Sequence, residues 1–127
     1  MKKQDLPLSP HLQIYKPQIT SLLSISHRIS GIALNFVLVI LVLGLLCVTL
    51  GESYFELLIS FITSFPVKII IFLAILGFSY HFLNGIRHII WDFGFLLGNR
   101  SSAIFGYIII ATSFISSIFI SRLLGLF

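Results

Sequence analysis

Three long stretches without a charged residue, Ile29–Leu50, Ile69–Ile86 and Ser101–Ser121, constrain this chain more than anything else in it. They run 22, 18 and 21 residues, and as helices rising about 1.5 Å per residue they reach roughly 33, 27 and 32 Å. The hydrocarbon layer of a bilayer is about 30 Å thick. Within it a single segment satisfies its own backbone N–H and C=O groups only as a helix. The sequence therefore predicts an all-α membrane protein with three transmembrane helices at about 21–50, 65–92 and 102–126. Residues 1–20 form an N-terminal arm with Pro7, Pro10 and Pro17, and 21–127 form the transmembrane domain. Gly51–Ser64 and Phe93–Arg100 read as short loops, and Pro66 fits the first turn of the second helix, where its missing N–H costs nothing.

Composition agrees. The chain is 57% hydrophobic and only 9% charged, against about 25% charged in a typical soluble domain. Mean hydropathy is +1.10. The net charge of +4 does not point to nucleic acid, because the eight Lys and Arg lie scattered at helix ends and build no basic face. They read instead as orientation signals. Lys2, Lys3, Lys16, Arg28, Arg87 and Arg100 fall on one side of the predicted spans, and Lys68 and Arg122 on the other. That bias puts the N-terminus on the cytoplasmic or matrix side of an inner membrane. The arm has no apolar core behind Lys2 and Lys3 and reads as neither a cleavable signal nor a transit peptide. The single cysteine, Cys47, excludes an internal disulfide and reads as a small apolar residue.

Ionisable groups inside a membrane cost a few kcal/mol each on insertion scales, which makes them functional candidates. Here they cluster at the inner ends of two helices: Ser24, His27, Arg28 and Asn35 on the first, and His81, Arg87, His88 and Asp92 on the second. At about 100° per residue, His81, Gly85, His88 and Asp92 share one stripe, with Gly77 a turn above His81. A histidine flanked by glycines on its own face suits something flat and broad, and haem, with an imidazole as axial ligand, fits that description. Close helix packing is the other reading of the glycines. Ser24, Arg28, Gly31 and Asn35 form a similar stripe on helix one. Arg28 offers a planar fork of donors to a propionate or a carbonyl oxygen, or else snorkels to lipid headgroups. Ser24 supplies a hydroxyl to a quinone carbonyl, or is an ordinary hydroxyl at a helix start. Arg87 and Asp92 have a plain explanation as helix-end groups, and Trp91 and Tyr107 as interfacial anchors.

Two segments carry a resemblance. Ser9–Gly31, with Ser24-x-x-His27-Arg28-x-Ser30-Gly31, and His81–Gly94, with His81-x-x-x-Gly85-Ile86-Arg87-His88-x-x-x-Asp92-x-Gly94, resemble the cytochrome b-type large membrane anchor subunit of succinate dehydrogenase, respiratory complex II. The resemblance implies a heteromeric helical bundle with a small membrane anchor subunit, docked to a flavoprotein subunit and an iron–sulfur subunit. It implies that His81 is an axial ligand of haem b shared with the small anchor, and that Ser24 and Arg28 line the ubiquinone site. His27, Arg28, Gly85 and His88 would border the haem and its propionates. No catalytic residue is implied, since succinate is oxidised elsewhere in such a complex. The chain departs from the family at Leu6, where an Arg commonly precedes the first proline of the arm.

Two other classes compete. A proton or ion path through Arg28, His81, Arg87 and Asp92 would also place ionisable groups in the membrane, but it does not predict glycines on either side of His81. A plain scaffold leaves the cost of those groups unexplained.

Overall fold

The computed structural model describes residues 15–127. Four helices follow one another: α1 (Ile19–Thr49), α2 (Glu52–Thr63), α3 (Phe65–Asp92) and α4 (Asn99–Leu123). Three of them, α1, α3 and α4, are long and apolar enough to cross a membrane. The fold is thus the expected all-helical one, with the spans displaced by two or three residues at some ends. Lys2, Lys3, Leu6, Pro7 and Pro10, in the arm, lie outside the described residues.

The helix ends follow local chemistry. Ser64 caps α3 in extended conformation and Pro66 occupies its first turn. The other end of α3 is closed by Gly94 at φ 81°. There Gly94 N–H donates to Trp91 O (2.8 Å) and Phe95 N–H to Ile90 O (3.2 Å), a Schellman pair that requires a left-handed residue. The same pair of bonds around Gly125, to Arg122 and Ser121, ends α4. That motif explains why α4 stops at Leu123 rather than near 126.

One expectation needs correction. Gly51–Ser64 is not a loop: Gly51 turns the chain at φ 112° and α2 begins at once. Its twelve residues are too few to cross a bilayer, yet Glu52, Glu56, Ser60 and Thr63 share one face of a helix whose other faces are apolar.

The packing is the reverse of a soluble core. Among the described residues, Leu23, Ile109 and Leu126 are the buried large apolar ones, whereas Ser79, Asn84, Arg87, Ser102, Ser113, Ser117 and Ser121 are buried polar ones. Large aliphatic and aromatic side chains cover the outside. Lipid tails are as apolar as leucine, so no hydrophobic force drives the helices together; close contact through small residues does. Gly106 shows how close: a Cβ there would collide with the Leu23 side chain. Ser113 and Ser117 donate to Ile109 O and Ser113 O in their own helix, which leaves no unsatisfied hydroxyl at those positions. Tyr80 donates across to Leu23 O at 2.7 Å and ties α3 to α1.

Candidate functional site

His81, midway along α3, meets α1 at His27, Ser30 and Gly31. Its Nδ1 lies 3.1 Å from His27 O and 3.1 Å from Ser30 Oγ, while the Ser30 hydroxyl donates to His27 O at 2.8 Å. A carbonyl oxygen only accepts, so the proton of His81 belongs on Nδ1. The lone pair is then on Nε2, which has no hydrogen-bond partner among the described residues. An imidazole held through N–H to a backbone carbonyl is the usual support for a metal-ligating histidine, because it fixes both tautomer and ring orientation.

The His27 ring lies flat on His81, with centroids 4.0 Å apart and planes 7° from parallel. This stack covers a ring face; the Nε2 lone pair projects from the ring edge and stays clear of it. Gly31 makes the approach possible, since a Cβ there would sit 2.9 Å from His81 Cε1. Gly85 faces His27, with a Cβ 3.9 Å from its Cε1, and Gly77 borders open space. From His27 the aromatic chain continues to His88, tilted by 49° at 5.2 Å, and on to Trp91, edge-on at 5.2 Å. His27 Nδ1 is buried without a partner. A fixed tautomer with a free edge nitrogen, a buried ring nitrogen that lacks a partner, and open space beside Gly77 on the same helix together fit a haem-sized planar group. No group of three or more His, Cys, Asp or Glu among the described residues could hold a bare metal ion.

The expected constellation is brought together in part. His27, His81, Gly85 and His88 converge. The stripe on helix one splits: Gly31 turns in to His81, while Arg28 and Asn35 are exposed and Ser24 is half-buried. Asn35 spends its amide on Gly31 O in its own helix. Ser24 and Arg28 make no side-chain hydrogen bond to other described residues, and Arg28 is exposed on the surface of the chain. Sequence spacing missed Ser30, whose hydroxyl helps hold His81. Its place one turn beyond His27 was the available signal.

Arg87 departs from the plain helix-end explanation. It is 1% exposed, on the α4 side of α3, with neutral acceptors: Asn84 Oδ1 at 3.3 Å, Ser102 O at 3.0 Å and Ser102 Oγ at 2.9 Å. Its guanidinium also lies 4.1 Å from the centre of the Trp91 ring. Trp91 is therefore packed under a cation and beside His88 rather than simply anchored at the interface. Asp92 is exposed at the end of α3 and matches the plain reading.

A family model described as Succinate dehydrogenase/Fumarate reductase transmembrane subunit matches residues 2–120. The chain belongs to that family. Among similar proteins is the succinate dehydrogenase cytochrome b556 subunit of Rickettsia typhi, 42% identical over 107 residues, or 84% of this chain and 83% of the relative. The cytochrome b560 subunit of Chondrus crispus is 43% identical over 104 residues, covering 76% and 78%. That of Marchantia polymorpha is 39% identical over 104 residues, covering 75% and 73%. This transmembrane subunit is thus a multi-pass component of an oxidoreductase complex, and its His27, His81 and His88 form a half-buried cluster between α1 and α3.

Proposed function

We propose that the chain is the haem b-binding membrane anchor of a succinate:ubiquinone oxidoreductase, completing its quinone site together with partner subunits. One observation carries this reading: the Nδ1–H of His81 is committed to His27 O, which leaves Nε2 as a ligand-ready edge nitrogen. The names of the similar proteins, cytochromes b556 and b560, support the same cofactor. Bound haem b would supply a one-electron centre inside the membrane. His81 would hold this haem from the present chain, together with a histidine of the small anchor subunit. Ser30 and the His27 carbonyl orient the His81 ring, and the His27 ring supports its face. His27, Arg28, Gly85 and His88 would border the macrocycle and its propionates.

Arg28, exposed, and Ser24, half-buried one turn before it, neither hydrogen-bonded through its side chain to other described residues, suit a pocket finished by neighbours. The hydroxyl and the guanidinium would donate to a quinone carbonyl oxygen, strengthening as negative charge grows there. Electrons reach that pocket from succinate through the flavoprotein and iron–sulfur subunits, linking the tricarboxylic acid cycle to the respiratory chain. The bias of Lys and Arg supports a position of the N-terminus and these residues on the cytoplasmic or matrix face of an inner membrane.

The test is a reduced-minus-oxidised absorption spectrum of the purified complex. A b-type band in the wild type that vanishes in His81→Ala, with chain abundance unchanged, is the expected result. A band of undiminished height in His81→Ala would overturn the assignment.

A further inference from the structure

Helix α2 has an unpartnered flank whose occupant can be named. Its twelve residues span about 18 Å, too short to cross a bilayer. It is joined to α1 by Leu50 and Gly51 and to α3 by Ser64, so it sits at the membrane boundary where α1 ends. At about 100° per residue, Glu52, Ser53, Glu56, Ser60 and Thr63 fall within an arc of roughly 100°. Every other residue of the helix is apolar or aromatic. Leu58 and Ile62 are half-buried and look toward the chain's own helices. Tyr54, Leu57 and Phe61 share a third direction and are 52%, 67% and 60% exposed.

We propose that α2 is an interfacial helix lying on the bilayer surface, its Tyr54, Leu57 and Phe61 flank sunk among acyl chains and its Glu52 and Glu56 face in water. Two observations select lipid over a protein as the occupant. The flank is continuous with the exposed apolar belt of the spans on either side, Leu45 and Val48 on α1 and Phe65 and Ile69 on α3. The polar arc leaves the two carboxylates facing water when the flank faces inward, which is the division that a membrane surface imposes. The polar face carries two acids and no base, so attraction to anionic headgroups contributes nothing; apolar burial alone holds the helix down. The helix thereby fixes how deep the outer ends of α1 and α3 sit.

The test uses the assembled complex in its native membrane, in a Cys47→Ala background. Single cysteines replace Ser53, Ser60, Tyr54, Leu57 and Phe61, and a membrane-impermeant polyethylene glycol maleimide is read as a mass shift of this chain alone. Vesicles are opened by freeze–thaw so that both faces meet the reagent. Cysteines at 53 and 60 should react about tenfold or more faster than those at 54, 57 and 61, in high salt as in low. In parallel, a photoreactive benzophenone side chain at Leu57 or Phe61 should yield adducts of this chain with phospholipid. Equal labelling on the two faces would overturn the proposal, and so would a benzophenone adduct to another protein.

Discussion

Gly31→Ala is the sharpest perturbation that the site offers. The added methyl carbon would sit 2.9 Å from His81 Cε1, 3.5 Å from Nδ1 and 3.8 Å from Nε2. Carbon atoms rest against one another at about 3.5–4.0 Å, so the imidazole must retreat from α1 by roughly 0.6–1 Å. The 3.1 Å contact from Nδ1 to His27 O then stretches beyond hydrogen-bonding range. The lost bond costs about 1 kcal/mol, and crowding in a packed interface adds about 1–3 kcal/mol. His81 would lose both its position and the bond that fixes its tautomer. The assay is the ratio of haem to subunit in the purified complex, with the haem midpoint potential taken on the same sample. Gly31→Ala should lower the ratio or move the potential. Gly44→Ala on the same helix, where a Cβ meets nothing within 4 Å, should do neither. Wild-type haem content and potential in Gly31→Ala would refute the claim that Gly31 seats the His81 ring.

Ser24→Ala and Arg28→Leu should each depress quinone reduction about tenfold or more, since each removes a donor to a developing charge, while dye reduction by the soluble subunits survives; equal loss of both activities would argue against a quinone role. Arg87→Ala should cost about 1–3 kcal/mol, the penalty of leaving buried neutral acceptors at Asn84 and Ser102 without their donor. A shortened thermal half-life of the detergent-solubilised complex would report it. Arg87→Lys should recover only part of that loss, because an ammonium lacks the fork that reaches Asn84 and Ser102 together.

Much of this architecture was legible in the sequence because lipid imposes blunt rules. An uncharged run of bilayer length has one structural outcome, and a histidine within it needs a reason to be there. The pairing of His27 with His81 was not legible, because it depends on the rotation of α1 about its axis. That rotation follows from Leu23 seating against Gly106 and from Tyr80 reaching Leu23 O, contacts between residues far apart in the chain. Spacing alone grouped His81 with its helical neighbours but could not say that Gly31, rather than Gly77, would lie against its ring. Arg87 was misjudged for a related reason. A basic residue near a helix end looks solvated until the opposing helix brings Ser102 to it.

The central claim is that Nε2 of His81 bonds to iron, and near-infrared magnetic circular dichroism of the oxidised complex measures that bond most directly, because its charge-transfer band reports the pair of axial ligands. The wild type should show two imidazoles. His81→Met should shift the band to that of an imidazole–thioether pair and raise the midpoint potential, as a thioether ligand does. An unchanged two-imidazole band in His81→Met would contradict the account.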